Sequence, residues 1–350
     1  MPDEQSKKVE SLSQFIECLE SIHPSKDEIV VYRGHSDKCY ELKPGLLRKG
    51  NEGLRDNEAE IFRDIEAARP MSFINDNTTL DKLVTMQHYG LPTRLLDVTS
   101  NPLTALYFAV TSRQEKDGTV LVLKASKSIN KFFDSDTVTC LANLVHLNKK
   151  AKDEVIELIK KNIVYYDYVK SYIEIPCATR EQQISSEQKE GIEIYKKIHE
   201  KYKKFKEKIS NSNIKDSDVD DKFVNGQRKD RRNKFNDKRV IKHFLNFIRA
   251  DKTYFQPKIC PEDLFKILLV KAKQRNARVA TQDGAFLIFG LEDNYSQKIP
   301  EISIEKIVIP GEKKEKMAQA LSSLGIRESS LFPELEYYTK YVVDIYNKKS

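Results

Sequence analysis

Long apolar runs are missing from this 350-residue chain. None approaches the ~18 residues that a membrane-spanning helix needs, so no such span is expected. The opening stretch, MPDEQSKKVESLSQF, is too polar for a signal peptide. The cysteines (Cys18, Cys39, Cys140, Cys177, Cys260) are scattered, odd in number and never paired as CxxC. That argues against a disulfide framework and a zinc site, and it points to a reducing cytoplasm. Histidines and carboxylates do not occur at ligand spacing, so no metal is expected. Tryptophan is absent, and no internal repeat is evident.

What is present is charge. Charged residues make up 32% of the chain and hydrophobic ones 39%, enough for a core in a chain more polar than average. The length suits one large domain or two ordinary ones. The net charge of +7 is concentrated: residues 201–250 hold 16 Lys and Arg against 7 Asp and Glu, leaving the other 300 residues near −2.

Helix and strand alternate over 1–126. VESLSQFIECLESI puts Leu12, Phe15, Ile16 and Leu19 on one helical face, and DEIVVYRG reads as a buried strand. Further helices are predicted over 56–74 and 79–89, the latter stopped by Pro92. In NPLTALYFAVTSR, Asn101 can cap a helix whose first turn accepts Pro102. DGTVLVLKA is a strand after a turn. From 127 to 254 proline almost disappears and apolar residues keep helical spacing. This predicts a mainly helical, basic insertion with a flexible piece at NSNIKDSDVDD. Strand character returns in ARVATQDGAFLIFG and ISIEKIVIP, followed by a helix that Gly325 can end.

The stretch QHYGLPTRLLDVTSNPLTALYFA crowds polar side chains against an apolar segment. It is either a polar turn or the rim of a pocket. Arg94 and Asp97 can pair there, or Asp97 can accept from backbone amides. A buried Arg–Asp pair needs complete hydrogen bonding. His88, beside Tyr89, is the side chain most able to change its role. Arg33, at the end of the VYRG strand, can aim its guanidinium fork into a cleft and grip phosphate; the plainer reading is a surface arginine. Gln282 and Asp283 precede Gly284 at a strand edge, where a hairpin turn is the simpler interpretation. LFPE reads as packing.

Taken together and in order, YRG at 32–34, the QHYG…ALYFA stretch, RVATQDGAF at 278–286 and LSSLGIRESSLFPELE at 321–336 resemble the FRG domain family, over roughly 25–126 and 254–340. The family occurs in bacteria and phages. Its motif order is similar to that of ADP-ribosyltransferases, which implies an α+β fold with a central, mostly antiparallel split sheet. The expected strands are 28–34, 118–124, 278–290 and 302–309. The expected domains are a first half of the core over 1–126, the insertion over 127–254 and a second half of the core over 255–350.

The resemblance also implies NAD as co-substrate, with Arg33 on a phosphate and Thr99 or Ser100 near the nicotinamide, backed by Ala105, Phe108 and Ala109. Gln282 falls where those transferases carry a glutamate, and a glutamine amide is no base near neutral pH. His88 or Asp97 then supplies acid/base chemistry, or the domain binds a nucleotide without turning it over. Tyr32, Gly34, Tyr89, Thr93 and Arg94 complete the candidate cofactor-binding set. An NAD-consuming effector, of the toxin or phage-defence kind, is the enzymatic expectation, with a protein or nucleic-acid acceptor. The alternative is a nucleotide-sensing or nucleic-acid-binding module. QRKDRRNKFNDKR at 227–239 would then contact phosphates through Arg228, Lys229, Arg231, Arg232 and Lys234, with steep salt dependence.

Overall fold

One eight-stranded sheet organises the computed structural model, in which residues 6–175, 189–209, 216–271, 273, 277–291 and 301–347 are described. Its strands are β1 (Ser6–Lys8), β2 (Glu28–His35), β3 (Leu95–Thr99), β4 (Gly118–Ser126), β5 (Asn130–Phe132), β6 (Ile267–Lys271), β7 (Gly284–Phe289) and β8 (Ile302–Ile309). They lie in the order β1-β8-β4-β2-β3-β7-β6-β5. Every pairing is antiparallel except β1–β8 and β5–β6 at the two edges. The α+β class and the mostly antiparallel sheet agree with expectation.

The helices are α1 (Leu12–Glu20), α2 (Glu52–Asp56), α3 (Glu58–Ala68), α4 (Thr79–His88), α5 (Pro102–Val110), α6 (Asp136–Asn143) and α7 (Lys149–Glu174). Then follow α8 (Lys189–Ile209), α9 (Asp216–Asn236), α10 (Arg239–Asp251), α11 (Ala277–Thr281), α12 (Gly311–Ser323), α13 (Glu328–Leu331) and α14 (Leu335–Asn347).

Both faces of the sheet are covered. Side chains alternate across a strand, so β4 sends Val120 and Val122 to one face and Leu121 and Leu123 to the other. The first pair packs with Phe15, Ala105, Leu106, Met317 and Leu321 from α1, α5 and α12. The second joins a larger core that includes Leu83, Leu96, Val138, Ile159, Phe244 and Ile288. Burial on both faces explains why β4 reads as a continuous apolar run.

Several local expectations need correction. Pro70 ends the helix predicted over 56–74: α3 stops at Ala68, and Pro70–Phe73 is a 3-10 turn. The strand predicted over 278–290 is helical as far as Thr281 and begins only at Gly284. β1, β3, β5 and β6 were not predicted.

The described residues of 127–254 are mainly helical, as expected, with β5 near their start, but only part of them forms a separate cluster. α6, the first half of α7 and α10 contribute Val138, Val155, Ile159 and Ile241 to the main core. The second half of α7 packs with α8 and α9 around Tyr165, Val169, Tyr172, Tyr202 and Phe223. Of NSNIKDSDVDD, residues 211–215 lie outside the described residues, as does Cys177, while Asp216–Asp221 opens α9. No helix among the described residues is long and apolar enough to cross a membrane.

Candidate functional site

The two halves of the sheet meet at one residue pair. β2 follows β4 through eight pairs, and β3 follows β7 through five, but β2 and β3 share only Tyr32↔Thr99. Beyond that pair the strands diverge, and a cavity of about 380 Å³ occupies the fork. Tyr32, Arg33, Gly34, His88, Asp97, Thr99 and Gln282, separated by up to 250 residues in the chain, all line it.

Arg33 replaces the missing ladder. Its Nη1 donates to the Asp97 backbone carbonyl, a group that a continued β2–β3 ladder would have had available. Its Nε donates to His35 Nε2 at 3.1 Å. Two contacts therefore fix the fork's orientation and leave further guanidinium N–H groups at the cavity wall. Burial lowers the Arg33 pKa, opposed by Asp97 and reinforced by Arg48. His35 is 4% exposed, and burial followed by the nearby arginines pushes its pKa down to about 3. It is neutral, so it can accept from Arg33.

Gly34 has a steric reason. A Cβ there would lie 1.9 Å from the Ala105 carbonyl oxygen and 2.8 Å from the Ala109 nitrogen. Strand β2 thus runs directly beneath α5, whose small residues permit the approach. Asn101 caps α5 as expected, accepting from Leu103 N at 2.9 Å and Thr104 N at 3.3 Å. Lys314 ties the same wall from outside. Fully buried, it donates to the carbonyls of Ser36, Ser112 and Arg113 at 2.7, 3.0 and 3.0 Å. Burial lowers its pKa.

On the β3 side, Asp97 is the only carboxylate among the described residues lining the cavity. Its Oδ2 accepts from Gln87 Nε2 at 2.9 Å, and Gln87 Oε1 accepts from the Thr93 hydroxyl. Thr99 donates to the Gln282 carbonyl at 2.6 Å and accepts from Asn101 N at 2.9 Å, so its hydroxyl holds the wall together. Asp283, with φ +46°, makes the turn from α11 into β7 in a conformation that aspartate tolerates. The Gln282 side-chain nitrogen donates to the Leu331 carbonyl at 3.0 Å. Phe332 follows, stacked on Arg278 at 4.3 Å. His88 stands 3.7 Å from Glu334 Oε1.

Four predicted residues lie elsewhere. Arg94 does not pair with Asp97. It is 3% exposed, grips both carboxylate oxygens of Glu58 and donates to the Phe289 carbonyl at 3.1 Å. Lys152 binds the same carboxylate. Burial raises the Glu58 pKa, but the two cations outweigh it and the net shift is downward. Thr93 is buried behind Gln87, Tyr89 is exposed, and Ser100 lies outside the wall. The basic cluster also divides. Arg228, Lys229 and Lys234 are exposed, though Arg228 lies over the Tyr166 ring at 5.7 Å and Lys234 pairs with Asp230 at 2.8 Å; Arg231, less exposed, stacks on Tyr165 at 3.7 Å and Arg232 reaches Cys260 Sγ at 3.9 Å.

The cavity residues that were not anticipated include three with basic side chains, His35, Arg48 and Arg278, and Gln87, which holds Asp97. Histidine two residues after Arg33 was a usable signal, since i and i+2 share one face of a strand. Nothing in KPGLLRKG marked Arg48. No group of three or more His, Cys, Asp or Glu that could hold a metal occurs among the described residues.

A family model covers the strand, the fork and α5. Residues 28–118 match the family model of the FRG domain. Neither the curated proteins nor the solved structures provide a match to the chain. The matched stretch contributes Arg33, Arg48, His88 and Asp97 to the cavity, and Arg278, Gln282 and Phe286 close it from outside that stretch.

Proposed function

We propose that the cavity binds the phosphoribosyl–nicotinamide end of NAD and that the protein is an NAD-using enzyme of the ADP-ribosyl-transferring or NAD-hydrolysing kind. The observation that carries this reading is the oriented Arg33 fork facing a cavity lined, among the described residues, by a single carboxylate, Asp97. The volume lies within the range of small-molecule sites, about 300–1,000 Å³. Arginine supplies a planar donor edge for phosphate. Phe108 offers an aromatic surface, and Asp97 supplies negative charge where ribose becomes positive.

In the proposed reaction the bond from ribose C1 to the nicotinamide ring nitrogen breaks, and nicotinamide leaves with the bonding pair. An acceptor nucleophile or water bonds to C1 and loses its proton to Asp97 or His88. Gln282 takes no proton in this scheme. Its amide nitrogen is held by Leu331, which supports its oxygen as an acceptor for a ribose hydroxyl. An effector role, as toxin or phage-defence protein, fits an enzyme that consumes NAD.

The test follows free nicotinamide after mixing the purified protein with NAD, beside Arg33→Ala and Asp97→Asn. Wild type is expected to release nicotinamide. Arg33→Ala is expected to lose binding and turnover, and Asp97→Asn to keep binding while turnover falls roughly 100-fold or more. Full turnover by Arg33→Ala overturns the reading. A second reading, nucleotide sensing without turnover, is favoured by the glutamine at 282, and NAD binding with no product supports it. A nucleic-acid surface at 227–239 has less support, because Arg231 and Arg232 are engaged by Tyr165 and Cys260.

A further inference from the structure

We infer that Arg48 is the second half of a two-arginine clamp and that Arg33 and Arg48 together hold the diphosphate of the ligand. This rests on the reading of the cavity as a nucleotide site and adds a residue and a chemical group to it.

Three observations converge. The first is electrostatic. Arg48 lines the same cavity as Arg33 and forms no ion pair among the described residues; its Nε donates only to the Lys43 carbonyl, at 3.2 Å. Asp97, the single lining carboxylate among the described residues, is already bonded to Gln87. The guanidinium groups of Arg33 and Arg48 thus share a cavity where like charges repel, with Arg278, stacked on Phe332, also in its wall, and a bound anion removes that repulsion. A diphosphate has the charge and oxygen count for two forks.

The second observation is that the loop presenting Arg48 is built. Leu46 is 2% exposed, and its N–H donates to the Thr93 carbonyl at 3.2 Å. Gly45 sits so close to Pro92 that a Cβ would lie 2.9 Å from the proline Cβ. Asn51 Nδ2 donates to the Gly45 carbonyl at 2.7 Å, and Asn51 N donates to the Arg48 carbonyl at 3.1 Å. An exposed arginine is thereby mounted on a loop that is docked against the turn before β3.

The third observation is the spacer. His35 accepts from Arg33 Nε, and its pKa of about 3 keeps it uncharged at neutral pH. It orients Arg33 without adding a charge of its own or cancelling that of Arg33 or Arg48.

The experiment measures binding calorimetrically for NAD, inorganic pyrophosphate and nicotinamide riboside, using the full chain and the variants Arg48→Ala, Arg48→Lys and Arg33→Ala. Circular dichroism checks that each variant is folded. Arg48→Ala is expected to weaken NAD and pyrophosphate roughly 10- to 100-fold while leaving the phosphate-free riboside unchanged. Lysine, a point charge without a fork, is expected to restore only part of the loss. Added salt should weaken pyrophosphate less in Arg48→Ala than in wild type. Unchanged pyrophosphate affinity in Arg48→Ala overturns the clamp. If NAD still depends on Arg33, the site reading survives without it. Arg48-dependent pyrophosphate binding with no binding of NAD or the riboside supports the clamp and refutes the NAD reading. No binding of any probe overturns both.

Discussion

Two arginines sixty-one residues apart, Arg33 and Arg94, occupy opposite situations. Arg94 lies in a closed network: Glu58 answers it bidentately, Lys152 shares the carboxylate, and main-chain carbonyls take the remaining donors. Arg33 lies in an open one, oriented on one side by His35 and Asp97 but facing a cavity with more cations than carboxylates. Both sit beside β3, and both look alike in sequence. A charge completely answered by its own protein holds the fold, whereas a charge oriented but unanswered is presented to something else.

The sharpest way to break this comparison is to open the closed network. Arg94→Ala or Glu58→Ala leaves charge buried without its partner, and each is expected to cost about 3–5 kcal/mol in urea unfolding. Arg33→Ala is expected to change the same measurement by less than about 1 kcal/mol while it abolishes ligand binding. Equal stability losses at both arginines would erase the distinction.

The next effect is steric. Gly34→Ala forces a methyl group toward the Ala105 carbonyl, so β2 and α5 must separate. A loss of about 1–3 kcal/mol is expected, with weakened binding because Arg33 moves with the strand.

Acid provides a graded test. Burial lowers the His146 pKa from 6.5 to about 4, with Asp251 opposing the shift. The unfolded chain takes up this proton near pH 6.5 and the folded chain does not. Its contribution is therefore present above pH 6.5 and is lost progressively as pH falls toward 4. His146→Gln should flatten this part of a stability-against-pH curve, and an unchanged slope would refute the assignment. The smallest effects belong to the basic helix. Lys229→Ala should change stability by less than about 0.5 kcal/mol. Arg231→Ala, which loses its stacking on Tyr165, should cost about 0.5–1 kcal/mol.

The same contrast explains what the sequence made legible. YRG, the Asn101–Pro102 start of α5 and the β4 and β8 strands announce themselves through β-branched runs and capping residues. Leu95–Thr99 did not, because all but Asp97 of its residues are buried, so alternation is lost, and its polar flanks read as a loop. Arg33, His88, Asp97 and Gln282 were legible as candidates and do line one cavity. Arg94 was misassigned because its partner, Glu58, lies thirty-six residues earlier and no local spacing reveals it. Arg48 was missed because its position depends on a loop docking against Pro92, a long-range event.

The bond from Thr99 to the Gln282 carbonyl spans 183 residues of chain. A ribosome adding about 5–20 residues per second needs roughly ten to forty seconds to make that stretch. Throughout that interval the nascent chain carries Arg33 and Asp97 but lacks β7, the neighbour that completes β3. Because distant strands pair only after a costly loop closure, the wall of the cavity forms late. For a protein proposed to consume NAD, synthesis itself sets a delay before the site is assembled.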